Sequence, residues 1–166
     1  CDYYSEVMYR IALDTFDRRH NITNAMVLHE ELAQLYYKTK SYDKAKMQLD
    51  SVYYYYDERF NNMGVTSVKP QYYKTLSQLA MCNARLGNFD LAISQIDEAI
   101  GYYKNNKDTD YYEALRKRGK ILMLQADSLG STNYNKAIEC YQQYVSSRYT
   151  SIDREIDNMD DSQRNQ

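Results

Sequence analysis

The sequence has few residues that interrupt a helix and few that build covalent or metal-bound scaffolds. One proline and five glycines occur among 166 residues, so most of the backbone can remain helical. Three cysteines without close spacing form neither a disulfide framework nor a zinc-binding pattern. No apolar run is long enough to span a membrane. These absences favour an all-helical domain whose stability comes from side-chain packing.

The residues that usually carry catalysis are also scarce. The two histidines, His20 and His29, have no partner at metal-ligand spacing. The five glycines are isolated, so none belongs to a phosphate-binding loop. Carboxylates such as Asp108 and Asp160 are scattered through loops and the tail, as solvated acids usually are. The sequence therefore predicts a segment without enzyme activity, cofactor or metal.

The charge balance argues against nucleic acid as a ligand. Lys and Arg number 21 against 23 Asp and Glu, whereas a phosphate backbone normally requires a large positive surface. The one local basic run, at residues 116–120, is too small to provide it. We therefore do not expect this segment to bind nucleic acid.

A short motif occurs three times, each copy holding a polar residue, an aromatic residue, Asp or Asn, any residue and an alanine. The copies span residues 41–45, 88–92 and 133–137. Their alanines, Ala45, Ala92 and Ala137, lie 47 and 45 residues apart. A near-constant period is typical of a solenoid, in which each unit buries its apolar face against the next unit.

Each copy of the motif has the features of a helix start. Ser41, Asn88 and Asn133 are residues that favour N-cap positions. Asp43 and Asp90 place negative charge where the helix dipole is positive. The alanine follows one turn later, where its small side chain lets a neighbouring helix approach closely. Apolar residues at spacings of three and four precede the first two copies and follow all three, so the predicted unit is a helical hairpin.

The units resemble tetratricopeptide repeats. The first unit matches that signature at His29, Leu32, Ala33, Tyr36, Tyr42 and Ala45, the second at Leu76, Leu79, Ala80, Phe89, Ala92 and Ala99, and the third at Leu115, Gly119 and Leu122. Asn83 stands where the family usually has tyrosine. The period exceeds the family's length of about 34 residues, with the extra residues at 57–69, at 105–110 and in the turn through 126–132. The resemblance implies a right-handed α-α superhelix of about seven helices.

The same resemblance predicts a domain organisation. A repeat domain would occupy residues 1–148, and residues 149–166 would form a helical extension or linker. Within the domain we expect a partial unit and three full units, at about residues 1–20, 23–60, 70–105 and 110–148.

Both ends of the sequence have helical patterns. Residues 2–18 are amphipathic and resemble the second helix of a preceding unit. Of the two options, a mature product or a piece of a longer protein, this pattern favours the piece. Near the other end, apolar residues at coiled-coil spacing are Val145, Tyr149, Ile152, Ile156 and Met159. This helix either caps the last repeat unit or continues into a following output region, and in the second case it can form a dimer.

Tyrosine is the strongest compositional bias, with 20 residues against three phenylalanines and no tryptophan. Tyrosine doublets begin at residues 3, 36, 72, 102 and 111, and a run of four occupies 53–56. Neighbouring residues of a helix point about 100° apart, so one member of each doublet can pack in the core while the other reaches outward. Interhelical packing is the main expectation, and stacking on a peptide or sugar is the alternative.

In the tetratricopeptide family, first helices line the concave face where peptides bind. The corresponding residues here are Glu30, Gln34, Tyr37, Lys38, Lys74, Ser77, Met81, Arg85, Arg116, Lys120 and Met123. This predicted groove changes from acidic in the first unit to basic in the third. One hypothesis is that a ligand with an acidic segment docks toward the third unit through Lys74, Arg85, Arg116 and Lys120; the alternative is a solvated charged face.

Two functional interpretations follow from the resemblance. The Tyr-rich units and the tail through residues 144–153 look similar to tetratricopeptide regions that precede the output domain of a bacterial histidine kinase or transcriptional regulator. This favours a sensory or regulatory binding module, located on the extracytoplasmic side. The alternative is a free-standing scaffold, assembly factor or lipoprotein adaptor, with the cytoplasm as the alternative compartment. Cys1 is a lipidation site only in the lipoprotein case.

Overall fold

The chain is mostly helical in the part that a computed structural model describes. This part is residues 6–12, 22–106, 108–130 and 134–164, with the side chains of the last range described up to residue 152. The helices are α1 (residues 6–12), α2 (Ile22–Lys38), α3 (Tyr42–Asp57), α4 (Lys69–Arg85), α5 (Phe89–Asn105), α6 (Asp110–Ser128) and α7 (Asn135–Arg164). No strand occurs in these ranges, which confirms the all-α class with about seven helices. Two compact units are present, Cys1–Ala99 and Ile100–Gln166.

The turns between paired helices in the first unit close through the backbone. Lys40 has a φ of 62° and Gly87 a φ of 84°, and the amide of the next residue bonds to a carbonyl five residues back. These bonds are Ser41 N to Tyr36 O and Asn88 N to Asn83 O, each 2.8 Å. A left-handed residue followed by such a bond is a common helix ending. Ser41 is indeed the N-cap residue of α3, but its side chain makes no capping hydrogen bond, so the capping part of that prediction is wrong.

The first core of the chain lies where α3 packs against α2 and α4. Its buried members are Leu32, Ala33, Tyr36, Ala45, Leu49, Leu79 and Cys82. Ala45 and Ala92 are completely buried, as expected for positions of close approach. Burial raises the pKa of the Cys82 thiol to about 12. Cys82 and Cys140 are both buried and unbridged, as small hydrophobic residues of a core usually are.

One member of several tyrosine doublets packs in the interior, as predicted. Tyr36 and Tyr72 are buried, whereas Tyr37 and Tyr73 are half-buried. The hydroxyls of Tyr72 and Tyr53 lie 3.2 Å apart, and the Phe60 ring meets the Tyr72 ring edge-on at 5.4 Å. Burial raises the pKa of Tyr72, and the Tyr53 hydroxyl raises it further. These tyrosines therefore join α3 to α4 through their rings and hydroxyls.

The segment between the first two hairpins is ordered by short helical turns. After α3 the chain continues through a π-helical turn, Glu58–Asn62, and a 3₁₀ turn, Thr66–Val68. Pro70 lies in the first turn of α4, where the amide that proline lacks has no intrahelical partner. The extra residues that the sequence places at 57–69 thus form two short helical turns before α4.

The first helix is held to α2 by a polar group of three side chains. The Tyr36 hydroxyl donates to Glu6 Oε1 at 2.8 Å and accepts from Arg10 Nη2 at 3.0 Å. Arg10 also pairs with Glu6 at 2.9 Å. Residues 6–12 of the amphipathic helix predicted at 2–18 are helical, and the remaining residues of that prediction lie outside the described ranges.

In the second unit, α6 packs against α7, and α7 continues without interruption from Asn135 to Arg164. The boundary predicted at residue 148 therefore falls inside a helix, because the sequence from 135 to 164 contains no glycine or proline to end it. Gly119 of α6 lies under the Tyr141 ring of α7, where an added Cβ would be 3.0 to 3.2 Å from three ring carbons.

Alanine substitutions at two helical glycines should separate close packing from helix propensity. Gly101→Ala meets no atom within 4 Å and should raise the free energy of unfolding by up to about 1 kcal/mol. Gly119→Ala crowds the Tyr141 ring, so we expect it to be about 1–2 kcal/mol less stable than Gly101→Ala. Urea denaturation measures both values. The difference should disappear when Tyr141 is also replaced by leucine, and its persistence would contradict the assigned contact.

Candidate functional site

The exposed sides of α2 and α4 form the part of the predicted groove that belongs to the first unit, and we call this surface the α2–α4 face. It comprises Glu30, Gln34, Tyr37, Lys38, Lys74, Gln78 and Arg85. At one end Lys74 Nζ contacts Glu30 Oε2 at 2.7 Å, with the Glu30 side chain only 12% exposed. This ion pair joins the two helices, so the charge of Lys74 is already matched by a carboxylate.

Three side chains form a cluster at the other end of the face, which we call the Arg85 cluster: Tyr37, Tyr42 and Arg85. The rings of Tyr37 and Tyr42 meet edge-on with centroids 5.3 Å apart. The guanidinium carbon of Arg85 lies 5.6 Å from the centroid of the Tyr42 ring, a cation–π distance. All three residues are half-buried. The cluster therefore holds a guanidinium on an aromatic support at the edge of the first unit's core.

Polar atoms of the Arg85 cluster are buried and have no hydrogen-bond partner in the part of the chain that the structure describes. They are the Tyr37 hydroxyl oxygen and Arg85 Nε, and the Gln78 carbonyl oxygen on α4 is a third such atom. The nearby Tyr37 hydroxyl raises the pKa of Arg85, against the opposing effect of burial. The two groups are thus close but are not aligned as a hydrogen bond. An unmatched buried polar group costs about 1–3 kcal/mol, so a movement of these side chains that lets a ligand satisfy them would recover that cost.

The other predicted groove residues of the first unit differ in exposure to solvent. Gln34 and Lys38 are exposed. Ser77 and Met81 are only 2% and 8% exposed, so they do not line an open surface as the sequence predicted. The reason is that α4 is enclosed on more than one side, with ten of its 17 residues buried.

The predicted groove residues of α6 belong to the second unit. Arg116 makes two hydrogen bonds to Glu113, from Nε at 2.8 Å and from Nη2 at 2.7 Å. This contact lowers the pKa of Glu113. Lys120 is half-buried and Met123 is exposed. Of the four cations assigned to an acidic ligand, Lys74 and Arg116 therefore already have carboxylate partners.

Tyr42 and Gln78 were not among the predicted site residues. From the sequence, Tyr42 is identified only as the aromatic residue of the repeat motif. Gln78 could have been found from spacing alone, since it lies four residues after Lys74 and seven before Arg85, on the same side of α4.

Other kinds of site are not seen in the described ranges. No three His, Cys, Asp or Glu side chains there are grouped so that they could hold a metal ion. No helix in the same ranges has the length and apolar character needed to cross a bilayer.

No family model, curated protein or solved structure matches the chain.

Proposed function

We propose that this chain is a non-enzymatic, tetratricopeptide-like helical-repeat module that binds a protein or peptide on the α2–α4 face. The observation that carries the proposal is the Arg85 cluster. A guanidinium and a phenolic hydroxyl lie side by side with buried atoms that no group of the described residues satisfies. Such groups are rare in folded proteins and call for an explanation, and ligand binding provides one.

The chemistry of the cluster favours a carboxylate in the ligand. Arginine offers several N–H donors in one plane and pairs with carboxylates through two parallel hydrogen bonds. The Tyr37 hydroxyl can add a third donor, and the rings of Tyr37 and Tyr42 offer apolar contact beside the charge. An acidic residue followed or preceded by an apolar residue would match this arrangement.

The acidic segment of the ligand therefore has Arg85 as its main anchor in this proposal. Lys74 and Arg116 contribute less than the sequence suggested, because each would have to leave a carboxylate partner.

The proposed context is the sensory or regulatory region of a larger bacterial signal-transduction protein, on the extracytoplasmic side. Support comes from α7, which has 30 residues, whereas its hairpin partner α6 has 19. A helix that extends beyond its hairpin partner can link the ligand-binding units to a following domain. A stop codon directly after Gln166 in the full reading frame would contradict this context and leave the binding function in place.

Selection from a random peptide library tests the binding function. We expect peptides selected on the wild-type chain to be enriched in Asp and Glu beside an apolar residue. The same library panned on the Arg85→Gln variant should lose that enrichment. Selected peptides without acidic residues, or the same peptides from both proteins, would contradict the proposal.

A further inference from the structure

Helix α7 carries a row of exposed apolar side chains that its hairpin partner does not cover. The row consists of Ile138, Val145, Tyr149 and Ile152, with exposed fractions of 50%, 48%, 67% and 39%. Gln142, also exposed, lies on the same line between Ile138 and Val145. Isolated exposed apolar residues are ordinary on a protein surface, but a continuous row along one helix marks an interaction surface.

This row lies on a different side of α7 from the contact with α6. The side that meets α6 includes Ala137 and Cys140, which are buried, and the Tyr141 ring over Gly119. With about 100° of rotation per residue, the two sides are roughly 120° apart around the helix axis. The exposed row is therefore not an extension of the hairpin core and has room for a second helix.

The spacing along the row is that of a coiled coil. Ile138, Gln142, Val145, Tyr149 and Ile152 step by four, three, four and three residues, which alternates the d and a positions of a heptad. The sequence continues the same steps to Ile156 and Met159, whose side chains lie outside the described residues. Three heptads thus have apolar residues at every a and d position except Gln142.

We infer that α7 pairs with α7 of a second copy of this chain as a parallel, in-register coiled coil. Two features select this occupant. In-register pairing places Gln142 opposite Gln142, so the two amides can bond to each other, whereas a different register would set each amide against an apolar residue. The heptad also puts Arg148 at a g position and Asp153 five residues later at an e position, and oppositely charged g and e residues attract across a parallel seam.

The strength of the pairing follows from the same positions. The next g and e pair is Glu155 and Asp160, which places like charges opposite each other. The Arg148 guanidinium also lies over the Tyr112 ring, 5.5 Å from its centroid. Its charge therefore interacts with this ring as well as with Asp153 of the second copy. The pairing is therefore a dissociable dimer, and this inference stands whether or not the α2–α4 face binds a peptide.

Sedimentation velocity with a dilution series tests the dimer. We expect the wild-type chain to approach twice its monomer mass of 19.7 kDa at high concentration and the Val145→Glu/Ile152→Glu variant to remain monomeric. Thr150→Glu, at an exposed position off the seam, is the matched control and should behave as wild type. All these sites are exposed, so thermal unfolding should be unchanged at concentrations where the wild type is monomeric. A wild type that remains monomeric at about 100 μM, a dimer unaffected by the double substitution, or a dimer equally lost in Thr150→Glu would overturn the inference.

Cysteine cross-linking tests the parallel register. In a Cys1→Ser background, Gln142→Cys should form a disulfide-linked dimer under mild oxidation, because parallel pairing sets equivalent a positions together. Thr150→Cys should not cross-link. Cross-linking through Thr150→Cys in preference to Gln142→Cys would contradict the register.

Discussion

Replacing Leu32 with alanine is expected to lower the free energy of unfolding by about 2–5 kcal/mol, the usual cost of a cavity at a fully buried leucine. Leu32 is 1% exposed and belongs to the core formed by α2, α3 and α4. A whole domain is stable by only about 5–15 kcal/mol, so this single change removes a large part of the total. Urea denaturation followed by far-ultraviolet circular dichroism measures the loss.

Leu91→Ala is the matched control for this prediction, because Leu91 of α5 is 50% exposed. Its effect should stay within about 0.5 kcal/mol. Equal effects of the two substitutions would show that Leu32 is not part of the core of the first unit. A small effect of Leu32→Ala alone would lead to the same conclusion.

Replacing Arg85 with glutamate is expected to weaken binding of an acidic selected peptide by about 10- to 100-fold or more. The change removes a charge-assisted hydrogen bond of about 1.5–3 kcal/mol, and each 1.4 kcal/mol is a factor of ten in affinity. It also places a negative charge beside the ligand's carboxylate. Isothermal titration calorimetry with the selected peptide measures the effect, which should shrink at high salt because the ions screen charge.

Lys38→Glu is the control for this second prediction. Lys38 is exposed on α2, and its substitution makes the same change in net charge. Exposed ion pairs contribute about 0–1 kcal/mol, so its effect on affinity should be several-fold at most. Arg85→Met should lose binding while retaining its thermal stability, since the unmatched Nε is removed with the side chain. Lost binding accompanied by a large loss of stability would show that Arg85 has a structural role instead.

The local features of the fold could be predicted because they depend on short stretches of sequence. The buried positions of Ala45 and Ala92 and the division of the tyrosine doublets follow from helix periodicity. The left-handed conformation of Lys40 could not be predicted, since that backbone state usually selects glycine or asparagine. The backbone closure that it completes takes the place of the predicted Ser41 cap.

The site was harder to predict, because its decisive contacts join distant residues. The ion pair between Glu30 and Lys74 links positions 44 residues apart. The burial of Ser77 and Met81 depends on how α4 is enclosed, which a pattern of first helices does not specify. Arg85 and Tyr37 were predicted from their places in the repeat, but their unmatched atoms appear only when the two helices are packed together.

A double-mutant cycle directly measures whether Arg85 binds a carboxylate of the ligand. The cycle combines Arg85→Gln in the protein with replacement of the acidic residue by its amide in the selected peptide, and calorimetry gives the four affinities. We predict a coupling free energy of about 1–3 kcal/mol, so that either change alone weakens binding and the second adds little. A coupling free energy near zero, with the two effects simply additive, would show that Arg85 does not bind the ligand's carboxylate.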